Sequence, residues 1–165
     1  KNFKNIKIKS YEPVLTTIKK FKQNLKLNPK IKNIEINKFG LSNKNSKLLM
    51  KALKKNDYIQ TGGFGVAKKN ENIKNLHKEY AFFKKGDDIL KIKSKKIVLK
   101  IDTEGHEQEV IKGLKNLIKK NKIFLQIEIF NKNYNLTNSL LKKNNFKKIN
   151  LIKKDGKIDY YYKNY

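Results

Sequence analysis

Asp102-Thr103-Glu104-Gly105-His106-Glu107 is the densest group of reactive side chains in the sequence. Three acids and a histidine fall within six residues of a chain that has 14 acidic residues and 2 histidines in all. An imidazole with an ordinary pKa of ~6.5 can take a proton at neutral pH. Neighbouring carboxylates can hold a hydroxyl group, serve as acid or base, or ligate a divalent cation. Val110 stands where a second His would complete HExxH, so no zinc motif is present and no metal ligand is expected. Gly105 permits a sharp backbone turn. Smaller groups accompany this one. Glu12, between Tyr11 and Pro13, is a carboxylate at a strand end, able to accept two hydrogen bonds from a ribose diol. It also suits the positive end of a helix. Gln126 and Glu128, two apart, share one strand face, with Lys100 or the adjacent turn as partners. Thr61-Gly62-Gly63-Phe64-Gly65 completes neither phosphate-loop pattern and reads as a turn or bulge. His77 reads as a loop residue without a ligand-like neighbour, and Tyr160, Tyr161 and Tyr162 read as strand packing rather than a base-stacking platform.

Alternating strands and helices must position these groups. Ile6 to Tyr11 predicts a strand, and Val14, Leu15, Ile18, Phe21 and Leu25 share a helical face. Ile34 to Leu41 predicts a second strand. Leu48 to Leu53 fits a strand or a short helix. Tyr58 to Lys68 and Glu79 to Lys84 predict strands around a polar loop from Lys69 to Lys78, and Asp87 to Leu90 a short helical turn. Ile97 to Ile101 is an apolar run, as in a buried parallel strand. Val110, Ile111, Leu114, Leu117 and Ile118 predict one helix, acidic at its start and basic at its end. Ile123 to Ile129 predicts a strand, and Thr137 a helix cap. Asp155-Gly156 joins Ile149–Ile152 and Ile158–Tyr162 as a hairpin. The expected class is α/β: a Rossmann-like, mostly parallel sheet with flanking helices and a C-terminal antiparallel hairpin, in one domain over residues 1–165. Ligands on such sheets bind beyond the carboxyl ends of the strands. Glu12, Asp102 to Glu107 and Glu128 lie at or near such ends.

Composition narrows the function classes. All 41 basic residues are Lys, and the net charge of the 165 residues is +27. Lys, Asn and Ile make up 83 of them and Arg is absent, so the charge reads as compositional bias on solvated faces rather than a selected polyanion surface. Salt-sensitive sticking to nucleic acid or anionic membranes is expected either way, and no specific nucleic-acid partner is. The alternative is a non-catalytic basic Rossmann-like module binding polyanions; a metal-dependent hydrolase using the Asp102 cluster is a further rival. No cysteine is present, which removes disulfides and thiol catalysis. No apolar run reaches membrane-spanning length and no secretory signal opens the chain, which points to the cytoplasm.

The segment Ile97 to Gly113, Ile-Val-Leu-Lys-Ile-Asp-Thr-Glu-Gly-His-Glu-Gln-Glu-Val-Ile-Lys-Gly, resembles the signature of the FkbM family of methyltransferases, a K-I-D-x-E-G-x-E core followed by V-L-x-G. Tyr11-Glu12-Pro13 with Gly40-Leu41-Ser42, Gly86-Asp87-Asp88-Ile89-Leu90, and Leu125-Gln126-Ile127-Glu128-Ile129 resemble further family blocks, in family order. The resemblance implies an S-adenosylmethionine-dependent O-methyltransferase acting on a hydroxyl of a sugar or other natural product. It implies Glu12 on the ribose hydroxyls, Gly40 to Ser42 near the adenine, and Asp102, Glu104, His106 and Glu107 around the methyl-transfer site. The expected cofactor residues are Glu12, Pro13, Gly40, Leu41, Ser42 and Asp102. Asp102, His106 and Glu104 are expected in catalysis, and Glu104, Glu107 and Glu128 on the acceptor. The family's first strand and glycine-rich loop should precede Tyr11, yet only ten residues do, they hold no Gly, and the chain opens on Lys1. A strand-helix unit of roughly 30 or more residues is therefore expected to be missing. The stretch alone is then expected to bind the cofactor weakly and to be inactive, and the longer protein to be an enzyme.

Overall fold

A computed structural model describes residues 6–56, 58–67, 75–154 and 157–165. The chain divides into two compact units, Lys1–Gly40 with Ser46–Phe83, and Leu41–Asn45 with Lys84–Tyr165.

In the first unit, β1 (Ile8–Tyr11) and β2 (Ile34–Asn37) pair in parallel, with Ile8 opposite Ile34. The helix between them, α1 (Leu15–Lys26), turns Ile18 inward and its lysines outward, and Val14 just before it is buried too. The second expected strand is two: the chain bends at Lys38-Phe39 and resumes as β3 (Gly40–Ser42), of which Gly40 belongs to this unit and Leu41 and Ser42 to the second. Gly40 lies so close to the Phe83 ring that a Cβ there would collide with it. β4 (Ser46–Lys55) resolves the Leu48–Leu53 ambiguity as strand. It pairs antiparallel with β5 (Tyr58–Ile59), β6 (Gly65–Val66) and β7 (Leu76–Lys85). The expected Tyr58–Lys68 strand shrinks to β5 and β6 around a short 3-10 turn at Thr61–Gly63, where a turn was expected. Much of the expected polar loop, residues 69–74, and the last residue of the strand expected before it, Lys68, lie outside the described residues. Met50, Ala52, Phe64, Ala81, Phe83 and Val14 form the core. His77 is in β7, not a loop: its Nε2 is 3.3 Å from Glu79 Oε2 and its ring meets Phe64 edge-on. Period-two alternation was hidden there because the inward positions 77 and 79 are polar.

In the second unit, α2 (Gly86–Ile89) precedes β8 (Lys96–Ile101). Then come α3 (Glu107–Gly113), α4 (Lys115–Lys120), β9 (Lys122–Glu128), α5 (Tyr134–Lys143), β10 (Lys147–Lys154) and β11 (Lys157–Lys163). The sheet runs β10-β11-β9-β8, with only β8 and β9 parallel. Ile123, Leu125, Ile127, Tyr160 and Tyr162 pack one of its faces into the core with Val110, Ile111, Leu114 and Leu141. The helix expected through Ile118 is broken at Leu114. Asp87, buried, accepts hydrogen bonds from the Asn116 and Leu117 N–H groups and so caps α4 as a separate helix. Thr137 does not cap: α5 begins at Tyr134, and Thr137 is buried in its middle. The Asp155-Gly156 turn lies outside the described residues, but the strands flanking it pair antiparallel as expected.

The architecture is mixed α/β with several sheets, and the expectation of a mostly parallel sheet is corrected. Parallel pairing is confined to the two strand-helix-strand stretches, β1–β2 and β8–β9; the segment between them and the C-terminal hairpin are antiparallel. β8, expected to be buried, is the last strand of its sheet, and Val98 in its middle is 81% exposed. Among the described residues no helix is long and apolar enough to cross a membrane.

Candidate active site

β8 ends on Ile101, which is buried, and the chain leaves the sheet at Asp102. The turn that follows is left-handed twice, with φ +50° at Glu104 and +102° at Gly105. Gly105 adopts this freely; Glu104 does so against a steric penalty of about 1 kcal/mol or more. Glu107, the first residue of α3 and 2% exposed, holds the turn in place. Its Oε1 accepts hydrogen bonds from Thr103 Oγ1 at 3.0 Å and from the Gly105 N–H at 2.8 Å. The carboxylate also sits in the first turn of α3, where the helix dipole favours it.

The turn aims Glu104 back toward Asp102. Parallel pairing aligns the carboxyl ends of β8 and β9, with Ile101 opposite Ile127, so Glu128 emerges beside them. Asp102, Glu104 and Glu128 each offer a carboxylate oxygen, and these oxygens lie within 4.8 Å of one another. Lys100, weighed as a partner for Glu128, instead reaches Asp102, Nζ to Oδ2 3.2 Å, in a solvent-exposed pair. Three carboxylates this close can orient a hydroxyl, take its proton, or hold a divalent cation.

His106 occupies the residue just before α3, and its Nε2 lies 3.0 Å from the hydroxyl of Ser42, which is buried at the end of β3. Burial holds the imidazole pKa below its ordinary value, against the opposing pull of the Glu109 and Glu107 charges. Burial thus favours the neutral form of the His106 imidazole. Unfolding must have the opposite pH dependence from a paired histidine. The unfolded imidazole takes a proton first as pH falls, so stability contributed by His106 is complete above ~6.5 and is lost as pH drops toward the folded-state value. We expect a His106→Gln variant to lose that part of the stability slope below pH ~6.5. Denaturant midpoints measured across pH 5 to 7 check this, and parallel wild-type and variant curves would contradict it.

In the other unit, Glu12 stands directly beyond β1, and its Oε1 accepts the Val14 N–H at 2.9 Å, at the start of α1. Burial raises its pKa; the Val14 hydrogen bond opposes the rise and the Glu79 charge adds to it. Pro13 links the strand to the helix. Of the remaining expected residues, Gly40 is fitted against Phe83, and Leu41 is buried in β3. Within the second unit the structure thus brings Asp102, Glu104 and Glu128 together, joins His106 to Ser42, and commits an oxygen of Glu107 to the turn. The pairing of Ser42 with His106 went unread in the sequence, because 64 residues separate them. The capping role of Asp87 was missed too, although its acid-acid pair after Gly86 was visible.

A family model described as the methyltransferase FkbM domain matches residues 4–154. The chain belongs to the FkbM methyltransferase family. Every candidate site residue above falls inside the FkbM match. Among solved structures, the chain is similar to the methyltransferase FkbM from Methylobacillus flagellatus KT, with a TM-score of 0.57 and 15% sequence identity. The similarity covers 94% of this chain and 36% of that one, so the chain spans about a third of its FkbM neighbour. At that identity the likeness is one of fold. No curated protein matches the chain.

Proposed function

We propose that this domain serves an S-adenosylmethionine-dependent O-methyltransferase whose acceptor is a hydroxyl on a sugar or other natural product. The observation that carries the reading is the convergence of Asp102, Glu104 and Glu128 at the aligned carboxyl ends of two parallel strands, with His106 two residues beyond Glu104 and held against Ser42. Bound to such a domain, the cofactor supplies an electrophilic methyl group. Its chemistry asks the chain for a carboxylate on the ribose diol, and Glu12 suits that part. One of its oxygens is fixed by the Val14 N–H just beyond a parallel strand, which sets the direction of the carboxylate. Asp102 or His106 takes the proton from the acceptor hydroxyl as its oxygen attacks. Glu104 and Glu128 hold that hydroxyl in line, and Glu107 keeps the turn from relaxing.

We further propose that the working domain includes a strand along the outer edge of β8, followed by a glycine-rich loop. β8 is the last strand of its sheet among the described residues, and such an edge offers a row of backbone N–H and C=O groups to which a further strand can pair. Residues 1–165 alone then bind the cofactor weakly. In a polypeptide that carries the completed domain, Glu12→Gln keeps an acceptor for Val14 and removes a charged partner of the diol. The dissociation constant for S-adenosylmethionine should rise roughly tenfold. Titration calorimetry reads this directly. Tight binding by residues 1–165 alone would remove the proposed extra strand, and an unchanged constant for the variant would remove Glu12 from the cofactor site.

A further inference from the structure

The outer face of the antiparallel sheet in the first unit is built unlike the rest of the surface. In β7, Ala81 and Phe83 point into the core, while Lys78, Tyr80 and Phe82 point to solvent. Tyr80 and Phe82 are 62% and 61% exposed. Their register partners on β4 are Leu49 and Lys47, and Lys51 stands opposite Lys78. Lys47 Nζ lies 4.9 Å from the Tyr80 ring centre and 5.6 Å from that of Phe82. Glu79, the one acid of β7, points the other way, where Thr16 Oγ1 donates to it at 2.7 Å. The described residues that β4 and β7 turn to this outer face are therefore lysine, leucine, tyrosine and phenylalanine, with no acid among them.

Adjacent exposed aromatic rings among lysines fit a ligand that offers both flat faces and negative charge. Side chains two apart on a strand stand about 7 Å from each other. That is roughly twice the ~3.4 Å axial rise per nucleotide along a stacked strand. Two bases on these rings would be splayed apart, which a single strand allows and a duplex does not. The Lys47 ammonium, in reach of both rings, is placed for the phosphate joining two such bases. Amphipathic helices and lipid anchors are the common means of lying on a bilayer; here two flat rings share a sheet face with one lysine near both, an arrangement that matches bases and the phosphate between them and favours the nucleic acid.

We propose that the Tyr80–Phe82 face binds single-stranded nucleic acid, stacking one base on each ring and setting Lys47, Lys51 and Lys78 against the phosphates. Stacking of this kind reads no sequence, so the site agrees with the absence of a sequence-specific partner expected above. It is independent of the methyl-transfer reading.

A net charge of +27 binds any polyanion to some degree, so the test removes rings and leaves charge. Fluorescence anisotropy with labelled oligo(dT), at about 200 mM salt to weaken the generic attraction, compares wild type with the double variant Tyr80→Ala, Phe82→Ala. Affinity should fall at least roughly thirtyfold, with the slope of affinity against salt unchanged. Lys47→Gln should instead lower that slope by about one. Both rings lie outside the core, and thermal midpoints confirm that the variants fold. A measurement on the unaltered protein stands beside the variants: oligo(dT) should outcompete polyphosphate of equal charge. Equal affinity in the double variant, or no preference over polyphosphate, overturns the proposal. So does a double variant that keeps its oligo(dT) affinity and loses binding to vesicles of anionic phospholipid, since that assigns the face to a lipid surface.

Discussion

Asp102→Asn lowers the methyl-transfer rate of a polypeptide carrying the completed domain by roughly a hundredfold to ten-thousandfold, with almost no change in thermal stability. Asparagine matches the carboxylate in size and can still accept a hydrogen bond, so the turn after β8 keeps its shape. What it lacks is the basic oxygen that, in the proposed mechanism, would take a proton from the attacking hydroxyl. The ion pair lost with the charge, Lys100 to Asp102, is solvent-exposed on both sides, and such pairs contribute at most about 1 kcal/mol. Glu107, Thr103 and Gly105 make the turn's internal hydrogen bonds without Asp102. Initial rates with labelled methyl donor, beside a melting curve, measure both halves of the expectation. A near-normal rate would take Asp102 out of the mechanism and leave His106 as the base. A collapsed melting curve would mean that Asp102 supports the fold.

The parts of this site that were legible in the sequence are those that chain connectivity makes local. An apolar run, an acid-rich turn with Gly105, and an amphipathic helix follow one another within about twenty residues, and β8, the turn and α3 lie where they should. The spacing of Gln126 and Glu128 likewise placed both on one strand face. What the sequence hid depends on contacts made across long loops. The break at Leu114 exists because Asp87 supplies the cap for a new helix, and nothing near Leu114 in the sequence announces it. Val98 has the composition of a buried residue, yet it shares a strand face with Lys96 and Lys100, and burial there depends on what covers that face of the sheet rather than on the residue. His77 and Glu79 disguised a strand because they satisfy each other, and Glu79 also accepts from Thr16. Thr137 has the chemistry of a cap and the position of a core residue. The antiparallel segment between the two parallel pairs was the largest such loss. Short strands interrupted by glycines carry too little periodic signal to reveal their direction.

Gly113→Ala tests whether the end of β3 and the end of α3 are held as tightly as the structure places them. Gly113 ends α3, is buried, and is not in the left-handed region. Helix propensity alone therefore favours alanine, by about 1 kcal/mol. The surroundings oppose it. A Cβ at this position would overlap the Ser42 carbonyl oxygen and stand 2.6 Å from its carbon and 3.1 Å from the Asn43 nitrogen. These are backbone atoms and cannot swing aside as a side chain would. Overpacking of this kind costs about 1–3 kcal/mol or more, and with rigid neighbours it outweighs the propensity gain. The net loss should be about 2 kcal/mol, a fall in melting temperature of roughly 4–8 °C for a chain of this size. Gly62→Ala is the matched control, since a Cβ there meets nothing within 4 Å, and its midpoint should stay with wild type. The displacement also reaches chemistry, because the residue pushed away is the hydrogen-bond partner of His106. The variant should therefore lose part of the pH dependence of stability that His106 confers, even at temperatures where it remains folded. A Gly113→Ala protein with the midpoint of wild type would mean that β3 and α3 are further apart than the structure has them, and the Ser42–His106 pairing would fall with that contact.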